Sequence, residues 1–72
     1  MREPTDRERA RAAEIAKRSA GMLPPDLQRE GIVEALASQV LESAVRTYAD
    51  DSWTTTGVEP TINLPELLSR LR

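Results

Sequence analysis

Residues Asp26 to Ala49 read DLQREGIVEALASQVLESAVRTYA, and in them Leu27, Ile32, Val33, Leu36, Ala37, Val40, Leu41, Ala44, Val45 and Tyr48 recur at the three- and four-residue steps of an α-helix. The spacing predicts one central helix over 26–49. Gly31 lies inside it at a cost of about 1 kcal/mol against Ala, so the alternative is a short turn over 26–30 that ends there; the regular pattern favours a helix running through. The pairs 32/33, 36/37, 40/41 and 44/45 advance by four, and on a 3.6-residue helix such a strip widens to about half the circumference. One small neighbour cannot cover a face of that width. Glu34, Ser38, Gln39, Glu42, Ser43 and Arg46 fill the solvated side, with Glu42 and Arg46 at a favourable four-residue spacing.

On the N-terminal side a first helix is expected over 5–20. Thr5 followed by Glu8 fits a capping box, Asp6 suits the positive end of the helix dipole, and Gly21 is placed to stop the helix. Its apolar face, Ala12, Ile15, Ala16 and Ser19, holds one large side chain, so it approaches a neighbour closely but buries little. Glu3 with Arg7 and Glu14 with Arg18 have the spacing of intrahelical ion pairs. Residues 1–4 carry no structural signal and are expected to be disordered. Pro24 and Pro25 bar helical geometry at the residues before them and make a corner.

On the C-terminal side Asp50, Asp51 and Ser52 end the central helix. Residues 50–62 read as a Thr-rich connector, a loop with at most one short strand. Asn63 offers an N-cap, and Leu64, Leu67, Leu68 and Leu71 stripe a short helix over 64–71, with Arg70 and Arg72 suited to its C-terminal dipole. The expected fold is all-α: three helices in a single small domain, 1–72, completed by homo-oligomerisation.

Composition narrows the chemistry. A chain of 72 residues that is 39% hydrophobic makes one thin core, burying roughly 60% of its unfolded surface. Small scaffolds of this kind usually add disulfides, a metal or a partner chain. With no Cys and no His, disulfides, thiolate nucleophiles and the commonest general base and metal ligand are missing, which leaves the partner chain. Ser and Thr hydroxyls have only Lys17 as a potential base, so the chain reads as no enzyme, with no cofactor and no metal. Asp50, Asp51 and Glu59 lack the ligand spacing of a calcium or magnesium loop, and helix termination explains the two aspartates. The longest apolar runs are three or four residues, and Arg2, Glu3 and Pro4 follow Met1 instead of an apolar signal region, so no membrane contact and a cytoplasmic location are expected. Nine Arg against one Lys, with abundant Ala and Glu, looks like the coding bias of a GC-rich bacterium or its phage.

Two surfaces compete for the function. Arg2, Arg7, Arg9, Arg11, Lys17 and Arg18 give the first twenty positions a charge of +2 against −4 for the rest, and Arg7, Arg11 and Arg18 could contact nucleic-acid phosphates. Glu14 interrupts that face, and a solvated helix with ion pairs is the simpler account. The second surface is apolar: Val33, Leu36, Val40, Leu41, Ala44, Val45 and Tyr48 on the central helix, with Trp53, Leu64, Leu67, Leu68 and Leu71 after it. Leu64 to Leu68 also spell L-x-x-L-L, a pattern by which short helices enter hydrophobic grooves, although leucines closing the protein's own core are the simpler account. These residues are expected to form an interface centred on Val40 and Leu41, first with a second copy as a dimer and then with a larger protein partner. The leading expectation is a non-catalytic helical interaction protein: an adaptor, regulatory subunit or assembly component. A small DNA-binding regulator using the Arg-rich helix and an accessory subunit of an enzyme complex are the alternatives.

Overall fold

The computed structural model describes residues 2–71, with side chains through Ser69. It is all helical, with no strand among the described residues: α1 Asp6–Gly21, a 3-10 turn Pro25–Leu27, α2 Ile32–Thr47, a single turn α3 Trp53–Thr56, and α4 Leu64–Leu71. No helix among them is long and apolar enough to cross a membrane.

Helix α1 begins as its sequence dictates. Thr5 Oγ1 accepts from the Glu8 N–H at 3.3 Å, and the Glu8 carboxylate accepts from the Thr5 N–H at 2.9 Å, closing the capping box. The helix then runs antiparallel along α2. Ala12 and Ile15 pack with Val40, Ala44 and Trp53; Ala16 and Ala20 pack with Ile32, Leu36 and Leu67. The alanines at 12, 16 and 20 lie one turn apart, and their small size lets the two helices approach closely enough to bury Leu36, Val40 and Ala44 completely.

The expected helix over 26–49 is broken at Gly31, which has φ 86° and ψ −6° and acts as the N-cap of α2. The break has a packing reason. Ala20 at the end of α1 lies against Ile32, so any helix before Ile32 would project past its neighbour, carrying Asp26, Gln28, Arg29 and Glu30 into solvent with only Leu27 to bury. The chain instead turns at Pro25–Leu27, where the Gln28 side chain donates to the Leu23 carbonyl at 2.7 Å.

The Thr-rich connector is a second correction, because Trp53–Thr56 is a helical turn and neither a loop nor a strand. Each threonine hydroxyl bonds back to the carbonyl three residues earlier: Thr54 to Asp51 at 2.8 Å, Thr55 to Ser52 at 2.9 Å and Thr56 to Trp53 at 3.2 Å. The hydroxyls thus give partners to the carbonyls of a turn too short to satisfy them along its own backbone. Gly57 closes the turn at φ 83°.

Asn63 does cap α4, accepting from the Glu66 N–H at 3.1 Å. The helix is docked by a reciprocal pair: Gln39 Nε2 donates to the Asn63 carbonyl at 2.9 Å, and the Asn63 N–H donates to Gln39 Oε1 at 3.0 Å. Gln39 was expected on the solvated side of the central helix. It is buried instead, with both ends of its amide satisfied.

Candidate functional site

The expected interface residues separate into two groups. Leu36, Val40, Ala44, Trp53 and Leu67 are buried within the single chain, so Val40 is not at the centre of an exposed face. Val33, Leu41, Val45, Tyr48 and Leu68 are half-buried. Leu64 keeps 45% of its surface exposed. The side chains of Leu71, Arg70 and Arg72 lie outside the described residues.

Leu64 lines an apolar cleft of about 310 Å³ with Ser19, Met22, Leu23, Leu36 and Ile62. Three segments build it: the C-terminal end of α1 with the corner that follows, the N-terminal half of α2, and the start of α4 with the approach to it. Met22, at 81% exposure, is the most exposed large apolar side chain described. The proline pair fixes this position: α1 stops at Gly21, and Pro24 starts the next turn, so Met22 and Leu23 must span the corner with little protein above them. The corner is marked in the sequence by Pro24 and Pro25, which do not by themselves single out Met22. A methionine between a helix-stopping glycine and two prolines is a recognisable signal, since an unbranched thioether adapts to irregular apolar partners.

The basic face is substantially neutralised. Arg11 pairs with Glu14 at 3.0 Å and with Glu59 at 3.4 Å, and Arg18 also bonds Glu59, leaving Arg7 exposed beside a shallow cavity shared with Arg11, Thr54 and Thr55. Arg18 therefore pairs across the fold with Glu59 and not along the helix with Glu14. The Arg18 guanidinium holds the Glu59 carboxyl below its usual range. Of the acidic residues near the connector, Asp50 accepts from the Ser52 N–H at 2.9 Å and Asp51 from the Thr5 hydroxyl at 3.1 Å. No group of three or more metal-ligating side chains occurs among the described residues.

A buried polar cluster is the other built feature. The Glu8 carboxylate is fully buried and accepts four hydrogen bonds: from Arg2 at 2.7 and 2.8 Å, from Trp53 Nε1 at 2.8 Å and from the Thr5 N–H at 2.9 Å. The bidentate Arg2 guanidinium lowers the Glu8 pKa to about 2 against the opposing effect of burial, with the indole and Thr5 N–H adding to the lowering. Arg2 also donates to the carbonyls of Tyr48 at 3.1 Å and Asp50 at 3.0 Å. Arg2, within the segment 1–4 expected to be disordered, is thus tied to the far end of α2. The Tyr48 ring stacks on Trp53 with centroids 6.0 Å apart.

Together the fold and its surface define a small all-helical protein with an apolar cleft at one end and a polar lock at the other. Comparison with protein-family models, curated proteins and solved structures finds no match to this chain.

Proposed function

We propose that the chain is a non-catalytic interaction protein that uses the Met22–Leu64 cleft to bind an apolar helical surface, first that of a second copy and then that of a larger partner. The observation that carries this reading is the placement of Met22 and Leu64, two of the most exposed large apolar side chains, on the rim of one apolar cleft. An aliphatic or methionine side chain seated there would remove both from water, at about 25 cal/mol for each Å² covered. A two-fold contact is the simplest geometry, because the same patch then covers itself. Cross-fold pairing of Arg11 and Arg18 with Glu59 weighs against phosphate binding by that face.

Sedimentation equilibrium of the full chain tests the reading. The wild type should self-associate at micromolar concentration, and Met22→Asp with Leu64→Asp should be monomeric, keep the wild-type helical signal and lose the concentration dependence of the melting temperature. A wild type that stays monomeric up to about 1 mM, a weak limit of roughly 4 kcal/mol, would remove the second copy from the proposal.

A further inference from the structure

Helix α3 is held to the body of the protein chiefly through one side chain. Trp53 is its one fully buried side chain, Thr54 is half-buried, and Thr55 and Thr56 are exposed. It is bounded by the Asp50–Ser52 turn on one side and by Gly57, at φ 83°, on the other. Beyond the core packing of the Trp53 ring, its bond to Glu8 and its stack on Tyr48, the ties run through residues 2–5: Thr5 Oγ1 to Asp51, and Arg2 to Glu8 and to the carbonyls of Tyr48 and Asp50. Arg2 is therefore the side chain that joins the carboxylate under the indole to the backbone leading into α3. It is also 25% exposed, so water reaches its outer edge.

We propose that Arg2, Glu8 and Trp53 form a releasable latch, with residues 2–5 as a strap whose detachment frees α3 while the α1–α2–α4 body stays folded. The core is divided in a way that permits this. Trp53 belongs to the cluster with Ala12, Ile15, Val40 and Ala44, whereas Ala16, Ala20, Ile32, Leu36 and Leu67 form a second cluster that the strap does not touch and that holds the three longer helices together. Release also strands no charge, because withdrawal of the indole admits water to the Glu8 carboxylate as Arg2 leaves. Local opening is then less costly than global unfolding, and the hinges are the Asp50–Ser52 turn and Gly57. Beneath the strap, Glu3 and Pro4 share a cavity of about 320 Å³ with Leu41 and Val45, so the same motion uncovers that half-buried apolar strip.

The test compares the full-length wild type with Arg2→Gln and Arg2→Lys by amide hydrogen exchange and by acrylamide quenching of the single tryptophan, with far-UV circular dichroism as the check on folding. In Arg2→Gln, exchange at residues 51–56 should rise by roughly tenfold or more and quenching of Trp53 should increase, while exchange at Leu36 and Val40 changes by less than about twofold. Arg2→Lys, which keeps the charge and loses the two-pronged contact, should fall between the two. Equal acceleration at every helix, loss of the helical signal, or no change at 51–56 would each overturn the proposal, the first two by making Arg2 a plain structural staple and the last by making it dispensable.

Discussion

Trp53 Nε1 donates to a carboxylate oxygen of Glu8 at 2.8 Å, joining residues 45 positions apart in sequence. The bond gives Glu8 two duties. Its side chain closes the capping box of α1 and also serves as the buried acceptor on which the connector is anchored. A residue chosen for local capping alone would sit in water, and this one is fully buried.

Removing that acceptor should be felt at once. Glu8→Ala leaves the buried indole N–H without a partner and opens the capping box, and it should cost about 1–3 kcal/mol for the orphaned donor alone. Urea denaturation followed by circular dichroism measures it, and a loss below the lower figure would show that water replaces the carboxylate at no cost.

Acid should unfold the protein through the same group. Glu8 has a folded pKa of about 2 against an ordinary 4.5, so its contribution is fully present above about pH 4.5 and is lost as pH falls toward 2. Asp50 and Glu59 are also lowered, by Ser52 and Arg18, but both are exposed and should add little. Urea midpoints between pH 6 and pH 2 should therefore fall steeply in the wild type, and Glu8→Gln should flatten that dependence.

Two glycines should respond in opposite directions. Gly31 has φ 86°, where an added Cβ meets no neighbour but the backbone itself is strained, so Gly31→Ala should destabilise by about 1–2 kcal/mol. Gly21 is the last residue of α1, without positive φ and with open space around it, so Gly21→Ala should stabilise by about 0.5–1 kcal/mol. Melting temperatures of the two variants should lie on either side of the wild type.

The burial of Val40 and Leu67 within one chain separates folding from association. Leu67→Ala should cost about 2–5 kcal/mol at any protein concentration, as a cavity in a single chain does. Val40→Asp places an unpaired charge in the core and should abolish the folded helical signal, not merely yield a folded monomer. A soluble, fully helical Val40→Asp monomer would contradict this placement.

Replacing Arg7, Arg11 and Arg18 together by Gln should change the melting temperature little, because exposed ion pairs contribute little. Filter binding with duplex DNA at low salt supplies the second readout. Sub-micromolar retention by the wild type that weakens with salt and vanishes in the triple variant would bring the nucleic-acid reading forward.

The helical class, the capping box at Thr5 and Glu8, and the Asn63 cap were legible from sequence, because each depends on residues within four positions of one another. The long helix at 32–47 was legible for the same reason, through its apolar period. Where that helix starts was not: Gly31 is tolerable inside a helix, and only the end of α1 beside Ile32 removes the benefit of another turn. Likewise Gln39 and Glu8 look like solvent-facing residues by polarity, although at helical spacing they share the buried faces of Ile32 and Leu36 and of Ala12 and Ile15. They are buried because partners distant in sequence, Asn63 for one and Arg2 with Trp53 for the other, satisfy their polar atoms. Sequence periodicity records which residues share a face. Which face is covered, and by what, was decided only when the chain folded back and supplied those partners.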